Sequence, residues 1–196
     1  MAKVTIEDIK KLKELSGVGL TDAKQALVEA KGDFDKALEA MRKKGLTKAE
    51  KRGDRETREG LIDSYVHDGR IGAIIEVNCE TSFVAKTDEF KDLAHKLAMQ
   101  VASMSPLYVS MDDIPEDVKA KKMAELEANF KGPEKMKEQI LGGQMKKSFT
   151  DKVLLEQPYI LDDTKTVADF IKDSIAKTGE NITVRQFKRI ELGVTE

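Results

Sequence analysis

Cys79, His67 and His95 are the side chains of this chain best suited to hold a transition metal, because thiolate and imidazole are the usual ligands of such ions. They lie far apart in sequence and match no ligand spacing, so no metal site is expected. His67 stands beside a turn signal and reads as a surface residue. His95 lies on a helical segment next to its apolar stripe and reads as structural. Cys79 falls on the apolar face of a strand-like run, where a thiol behaves as a small hydrophobe. Phosphate chemistry has equally thin support. No G-x-x-x-x-G-K-[ST] run occurs, and Gly17-Val18-Gly19 is too short for a dinucleotide fingerprint. Gly142-Gly143, with Lys146 and Lys147 behind it, suggests an anion site faintly, and a helix break is the simpler reading. With 36 aspartates and glutamates, carboxylate pairs at any chosen spacing arise by chance. No constellation suits an enzyme, and no cofactor is expected.

Nucleic acid would be gripped through phosphate contacts, which need a positive excess. The chain has 34 basic and 36 acidic side chains and a formal net charge of −2, so its long-range field is weak. A basic strip does run through Arg42, Lys43, Lys44, Lys48, Lys51, Arg52, Arg55 and Arg58. Glu50, Asp54, Glu56 and Glu59 interleave with it at helical spacing, which favours a solvated, self-paired helix. No aromatic residue sits among these to stack on a base. Direct binding of nucleic acid is therefore not expected.

The stretch Asn78-Cys79-Glu80-Thr81-Ser82-Phe83-Val84 is the most informative one. It follows an apolar strand pattern and precedes a helical one, so Phe83 stands where a strand gives way to a helix. An aromatic ring there either packs under the following helix or projects as a wedge for another molecule. Its polar neighbours favour a solvent-facing turn, and pattern alone leaves both readings open.

The elements that must carry this turn can be read in order. Thr5, with Asp8 at capping-box spacing, opens a helix whose stripe is Ile6, Ile9, Leu12 and Leu15. Gly17 ends it. Thr21 caps a second helix bearing Ala23, Ala26, Leu27 and Ala30. Gly32 stops that one, and Asp33 caps a third bearing Phe34, Ala37, Leu38 and Met41, which Gly45 closes. Residues 1–45 thus form a three-helix domain, and the charged residues 46–59 read as a helical linker. From Gly60 the grammar becomes that of an α+β core over residues 60–196.

Leu61–His67 and Arg70–Cys79 are strands around the hairpin signal Asp68-Gly69, the second with Ile71, Ala73, Ile75, Val77 and Cys79 on one face. A helix over Asp88–Met104 buries Phe90, Leu93, Ala94, Leu97 and Val101. Pro115 opens a helix with Met123, Leu126 and Phe130, which Gly132-Pro133 breaks. Another carries Met136, Ile140 and Leu141 and is weakened by Gly142-Gly143. Thr166 caps a helix with Val167, Phe170, Ile171 and Ile175, ended by Gly179. A β-rich run, Asn181–Leu192, is expected to join the hairpin sheet. No run approaches the ~20 apolar residues of a membrane span, charged residues stand where a signal peptide needs an apolar stretch, and a single cysteine fits a reducing compartment. The cytoplasm is the expected address.

Several of these segments together resemble the elongation factor Ts family. They are Leu12-Lys13-Glu14-Leu15-Ser16-Gly17-Val18-Gly19, Asp22-Ala23-Lys24-Gln25-Ala26-Leu27, Gly32-Asp33, Arg42-Lys43-Lys44-Gly45, Glu76 through Ala85, Leu155-Glu156-Gln157-Pro158 and Gly179-Glu180-Asn181-Ile182. Their order and spacing cover nearly the whole chain. Three positions depart from the family pattern: Ser82 stands for a usual aspartate, Ala23 for a common cysteine, and Gly142-Gly143-Gln144-Met145 for a better helical segment. The resemblance is to the short form, without a duplicated core half or coiled-coil insertion, and it implies pairing with a second copy.

The resemblance further implies a UBA-like helical domain and a core with an antiparallel sheet packed by helices. The partner it implies is elongation factor Tu, bound to GDP or nucleotide-free. The activity it implies is guanine-nucleotide exchange without covalent chemistry, with Thr81, Ser82, Phe83 and Val84 entering near the magnesium site of Tu. In the helical domain Leu12, Val18, Gly19 and Leu20 are the candidate contacts, and Leu12 could equally be core. Two other classes remain open: a non-catalytic helical binding module, since ubiquitin-associated domains share the three-helix pattern, and an RNA-associated factor.

Overall fold

In the computed structural model, which describes residues 4–16, 19–50, 52–133 and 136–194, Thr5 and Asp8 close the predicted reciprocal cap. Thr5 N donates to Asp8 Oδ2 at 3.1 Å and Asp8 N to Thr5 Oγ1 at 3.1 Å, which satisfies amides that a first helical turn leaves unpaired. The Thr5 hydroxyl, then its amide, hold Asp8 below the usual carboxylate range. Helix α1 (Ile6–Ser16) follows. Of its predicted stripe, Leu12 is buried and Ile9 half-buried, while Ile6 and Leu15 are exposed. Ser16 takes the buried place one turn beyond Leu12 and donates to its carbonyl. Gly17 lies outside the described residues.

Helix α2 (Leu20–Glu29) begins one residue before the predicted cap. Gly19 is the N-cap: its extended backbone directs its carbonyl to Ala23 N at 3.0 Å, so Thr21 is inside the helix. Gly32, at φ 85°, and Asp33, whose Oδ1 accepts from Lys36 N at 3.1 Å, make the predicted turn into α3 (Phe34–Glu50). Leu12, Ala23, Ala26, Leu27, Ala37 and Met41 form one core among the three helices. Gly45 does not close α3 but lies within it. A Cβ there would sit 3.1 Å from that of Ala176, so the glycine serves close packing and not a stop. Of the predicted helical linker, the part up to Glu50 lies in α3, and Lys51 lies outside the described residues. A turn closed by Arg55 N to Arg52 O (2.9 Å) follows.

Strands β1 (Glu59–His67) and β2 (Ile71–Cys79) flank Asp68 and Gly69, both at positive φ (49° and 65°), the combination a type I′ turn requires. Ala73, Ile75, Val77 and Cys79 are buried, as the alternation predicts. The short helix α4 (Ser82–Ala85) precedes α5 (Asp88–Met104), which Thr87 caps through Phe90 N at 3.2 Å. Phe90, Leu93, Ala94, Leu97 and Val101 are buried on α5.

Helices α6 (Glu116–Ala128) and α7 (Lys137–Phe149) come next. The latter runs unbroken through Gly142-Gly143, so these residues are neither a helix break nor a loop. Ile114, Phe149 and Val153 form a second core with Tyr108, Met111, Val118 and Met145 against it. The small hairpin of β3 (Pro158–Tyr159) and β4 (Asp162–Thr166) has no apolar alternation that would announce it. Nor does the buried amide pair beside it: Gln100 Nε2 donates to Gln157 Oε1 at 3.1 Å, and Gln157 Nε2 to Asp151 O at 2.7 Å. Gln157 of the Leu155–Pro158 segment is thus a buried polar anchor, fully satisfied as such groups must be.

Helix α8 (Val167–Thr178) and strand β5 (Ile182–Glu191) complete the chain. The sheet order is β1-β2-β5. Strand β5 runs antiparallel to β2: Arg70 O accepts from Leu192 N (2.8 Å) at one end, and Glu80 accepts from Asn181 N (2.6 Å) at the other. The architecture is α+β with a helical N-terminal triplet. By contact density the chain divides into Met1–Asp63 with Glu76–His95 and Asp169–Arg185, and Ser64–Ile75 with Lys96–Ala168 and Gln186–Glu196. Among the described residues no helix is long and apolar enough to cross a membrane.

Candidate functional site

Phe83 is 85% exposed, the most exposed large apolar side chain among the described residues. Of the two readings the sequence leaves open, projection is the one observed. The ring stands not on a turn but on α4, a single helical turn that could not persist alone, since helix nucleation is unfavourable. Its footing is local. Thr81 is the N-cap, with Oγ1 accepting from Val84 N at 3.5 Å and its carbonyl from Ala85 N at 3.2 Å. Ala85 is buried, and the Thr87 hydroxyl donates to Val84 O at 2.8 Å, which joins α4 directly to the cap of α5. Ser82 and Val84 are half-buried on either side of the ring.

The approach to α4 is held from two directions. Cys79 is buried and its thiol points to Thr81 O at 3.2 Å. Burial, then the charge of Glu180, push that thiol's pKa up, so it stays protonated and inert at neutral pH. Glu180 accepts from Thr81 N at 2.9 Å and Thr81 Oγ1 at 2.6 Å. The neighbouring pair is reciprocal: Glu80 accepts from Asn181 N at 2.6 Å and faces Arg55 at 3.4 Å. Asn181 Nδ2 donates to Arg55 O at 2.7 Å and Gly53 O at 3.2 Å. Three segments distant in sequence therefore meet at the base of the Phe83 platform.

Asn78 departs from its predicted place. It is buried at the end of β2 and not part of a solvent-facing turn. Its Oδ1 has no partner among the described protein atoms, while Nδ2 lies 3.4 Å from Glu76 Oε1. Beneath it Gly60, at φ 152°, lets β1 lie directly on β2: a Cβ at Gly60 would come within 2.2 Å of Val77 O.

In the helical triplet the candidate contacts separate. Leu12 is 0% exposed and belongs to the core, so it is corrected from contact to packing residue. Gly19 and Leu20 are exposed where α2 begins, and Val18 lies outside the described residues. Four members of the basic strip are paired: Lys43 with Glu39 (2.8 Å), Lys44 with Asp22 (2.8 Å), Arg55 with Glu80 and Arg58 with Glu56 (2.7 Å). His67 is exposed beside Tyr65, and His95 faces Asp63 at 3.3 Å. Spacing could not have found Glu180 as the partner of Thr81, because 99 residues separate them.

The family model for elongation factor TS matches residues 2–194. Elongation factor Ts of Thermotoga maritima is 52% identical over 193 residues, covering 97% of both chains. The Moorella thermoacetica protein of that name is 50% identical over 194 residues (97% of this chain, 96% of its own), and that of Syntrophomonas wolfei 45% (97% and 91%). The chain is thus a translation elongation factor, a component of protein biosynthesis. Within that class it belongs to the elongation factor Ts family.

Proposed function

We propose that this chain is a guanine-nucleotide exchange factor for elongation factor Tu in the cytoplasm. It binds Tu carrying GDP and disturbs the magnesium and phosphate contacts, and GTP then displaces it from the nucleotide-free complex. No covalent bond changes in the factor, and nucleic acid is not a direct partner. In this reading residues 1–45 dock on the GTPase through Gly19, Leu20 and the adjoining Val18, residues 46–59 connect, and residues 60–196 perform exchange and dimerisation. Thr81, Ser82, Phe83 and Val84 form the element that enters near the metal.

The observation that carries the proposal is the exposure of Phe83 on a footing hydrogen-bonded from both sides. An apolar ring held outward costs hydration free energy until a partner covers it. Covering one phenylalanine contributes roughly 1.5–3 kcal/mol. A thousandfold faster release needs about 4 kcal/mol off the barrier, so the helical domain must add binding energy that holds the ring in place. Ser82 brings a hydroxyl where the family usually brings a carboxylate, so the charge in this contact is absent and the ring carries more of the effect. Linkage makes the effect reciprocal: bound GDP weakens the factor's grip by the same factor as the factor weakens GDP's. Release of a fluorescent GDP analogue from Tu tests the proposal. Acceleration that saturates with factor, together with binding weakened by excess GDP, is expected; unchanged release would refute it.

Pairing with a second copy is part of the same proposal. Val66, Ile74 and Ile190 are exposed at outward positions of β1, β2 and β5, which favours an apolar face that another chain covers. Ile74→Lys is expected to convert a dimer in sedimentation velocity to monomer. A wild-type chain that sediments as a monomer at micromolar concentration would count against pairing.

A further inference from the structure

Phe83 is 85% exposed and has little packing that could aim it, so its direction is set chiefly by the backbone from Thr81 to Ala85. The C-terminal side of that segment is tied to α5 by its own neighbours. Among the described residues the tie to Thr81 itself from a distant segment is Glu180, which gives one oxygen to the amide of Thr81 and the other to its hydroxyl. Bonds to a charged acceptor are the stronger kind, and this pair fixes the Thr81 rotamer, keeping Oγ1 turned to cap Val84 N. Glu180 is itself presented by a turn with Gly179 at φ 79° and by Asn181, whose amide and side chain are bonded to Glu80, Gly53 and Arg55. That turn keeps these bonds without the Glu180 carboxylate. The carboxylate's distinctive contribution is therefore to Thr81.

We propose that Glu180 is a positioning residue for exchange: it holds Thr81, and through Thr81 the outward direction of Phe83. This rests on the reading of Phe83 as the element that opens the GTPase site. It adds a residue that does not touch the partner and acts through the aim of one that does.

A double-mutant cycle on the full-length factor separates positioning from stability. The readouts are the maximal rate of fluorescent GDP release from Tu, the factor concentration at half-maximal rate, and the thermal midpoint. Glu180→Ala is expected to lower the maximal rate about tenfold, as a misaimed group does, and to leave the half-maximal concentration within about twofold. Glu180→Gln, which can still bond Thr81 N and exchange a bond with its hydroxyl, is expected to recover most of that loss. In a Phe83→Ala background neither Glu180 change should slow release further. A wild-type maximal rate for Glu180→Ala, or an equal loss with and without Phe83, would overturn the proposal. If Glu180→Ala does not fold, Glu180→Asp decides, since its shorter carboxylate cannot keep both bonds to Thr81: a loss that vanishes without Phe83 supports positioning, and a wild-type rate or a loss that persists without Phe83 refutes it. Phe83→Ala releasing GDP as fast as wild type would instead remove the underlying reading, whatever Glu180 does.

Discussion

Phe83→Ala is expected to slow maximal GDP release from elongation factor Tu by about 10- to 100-fold at saturating factor. The figure follows from roughly 1.5–3 kcal/mol for covering the ring, at about 1.4 kcal/mol for each tenfold in rate. In the proposed mechanism the ring is covered as the nucleotide leaves, so the loss should belong to the transition state and the nucleotide-free complex. Affinity for Tu·GDP should change only a few-fold, while affinity for nucleotide-free Tu falls by a factor similar to the rate. The ring has little buried area of its own in the free protein, so the thermal midpoint should not move. Stopped-flow release paired with titration calorimetry against both forms of Tu reads all three quantities. Equal loss of release and of Tu·GDP docking would show that Phe83 is an ordinary contact.

Gly60→Ala should destabilise the protein strongly. Its φ of 152° is a conformation that residues with a Cβ rarely adopt, and the added carbon would meet Val77 O at 2.2 Å, Asn78 Cα at 2.7 Å and Val77 C at 3.0 Å. All three are backbone atoms, so nothing can swing aside and the two strands must separate. A cost of about 3 kcal/mol or more is expected from the strained backbone and the lost strand pairing. For a chain of this size that lowers the melting temperature by roughly 6–12 °C. Gly72→Ala, on the same hairpin with open space around the new carbon, is the control and should melt close to wild type. Differential scanning calorimetry gives the comparison, and a Gly60→Ala midpoint at the wild-type value would contradict the close approach.

Local signals made most of the fold legible. The Thr5–Asp8 cap, the Gly32-Asp33 turn, the Asp68-Gly69 hairpin and the buried stripe of α5 all follow from spacing within one or two helical turns. The misreadings share a cause. Gly45 looks like a helix stop because nothing local shows Ala176 against it. Thr21 looks like a cap because Gly19 can cap with backbone alone. Leu15 looks like core because Ser16, bonded to its own helix, can be buried in its place. The hairpin of β3 and β4 is polar and carries no period to detect.

The candidate site divides the same way. That Phe83 stands between a strand and a helix is visible in the sequence. Its footing is not, because Thr81 finds Glu180, and Glu80 finds Asn181, across about a hundred residues of chain. Burial of Leu12 and of Asn78 likewise depends on what the fold lays over them.

The central claim concerns where one aromatic ring goes in the complex, and site-specific photocrosslinking measures that directly. A benzoylphenylalanine introduced in place of Phe83, irradiated with Tu and mapped by mass spectrometry, is expected to attach to peptides around the magnesium and phosphate contacts of the GTPase. Excess GDP should suppress the adduct. Crosslinks confined to a surface remote from the nucleotide, or undiminished by GDP, would contradict the account.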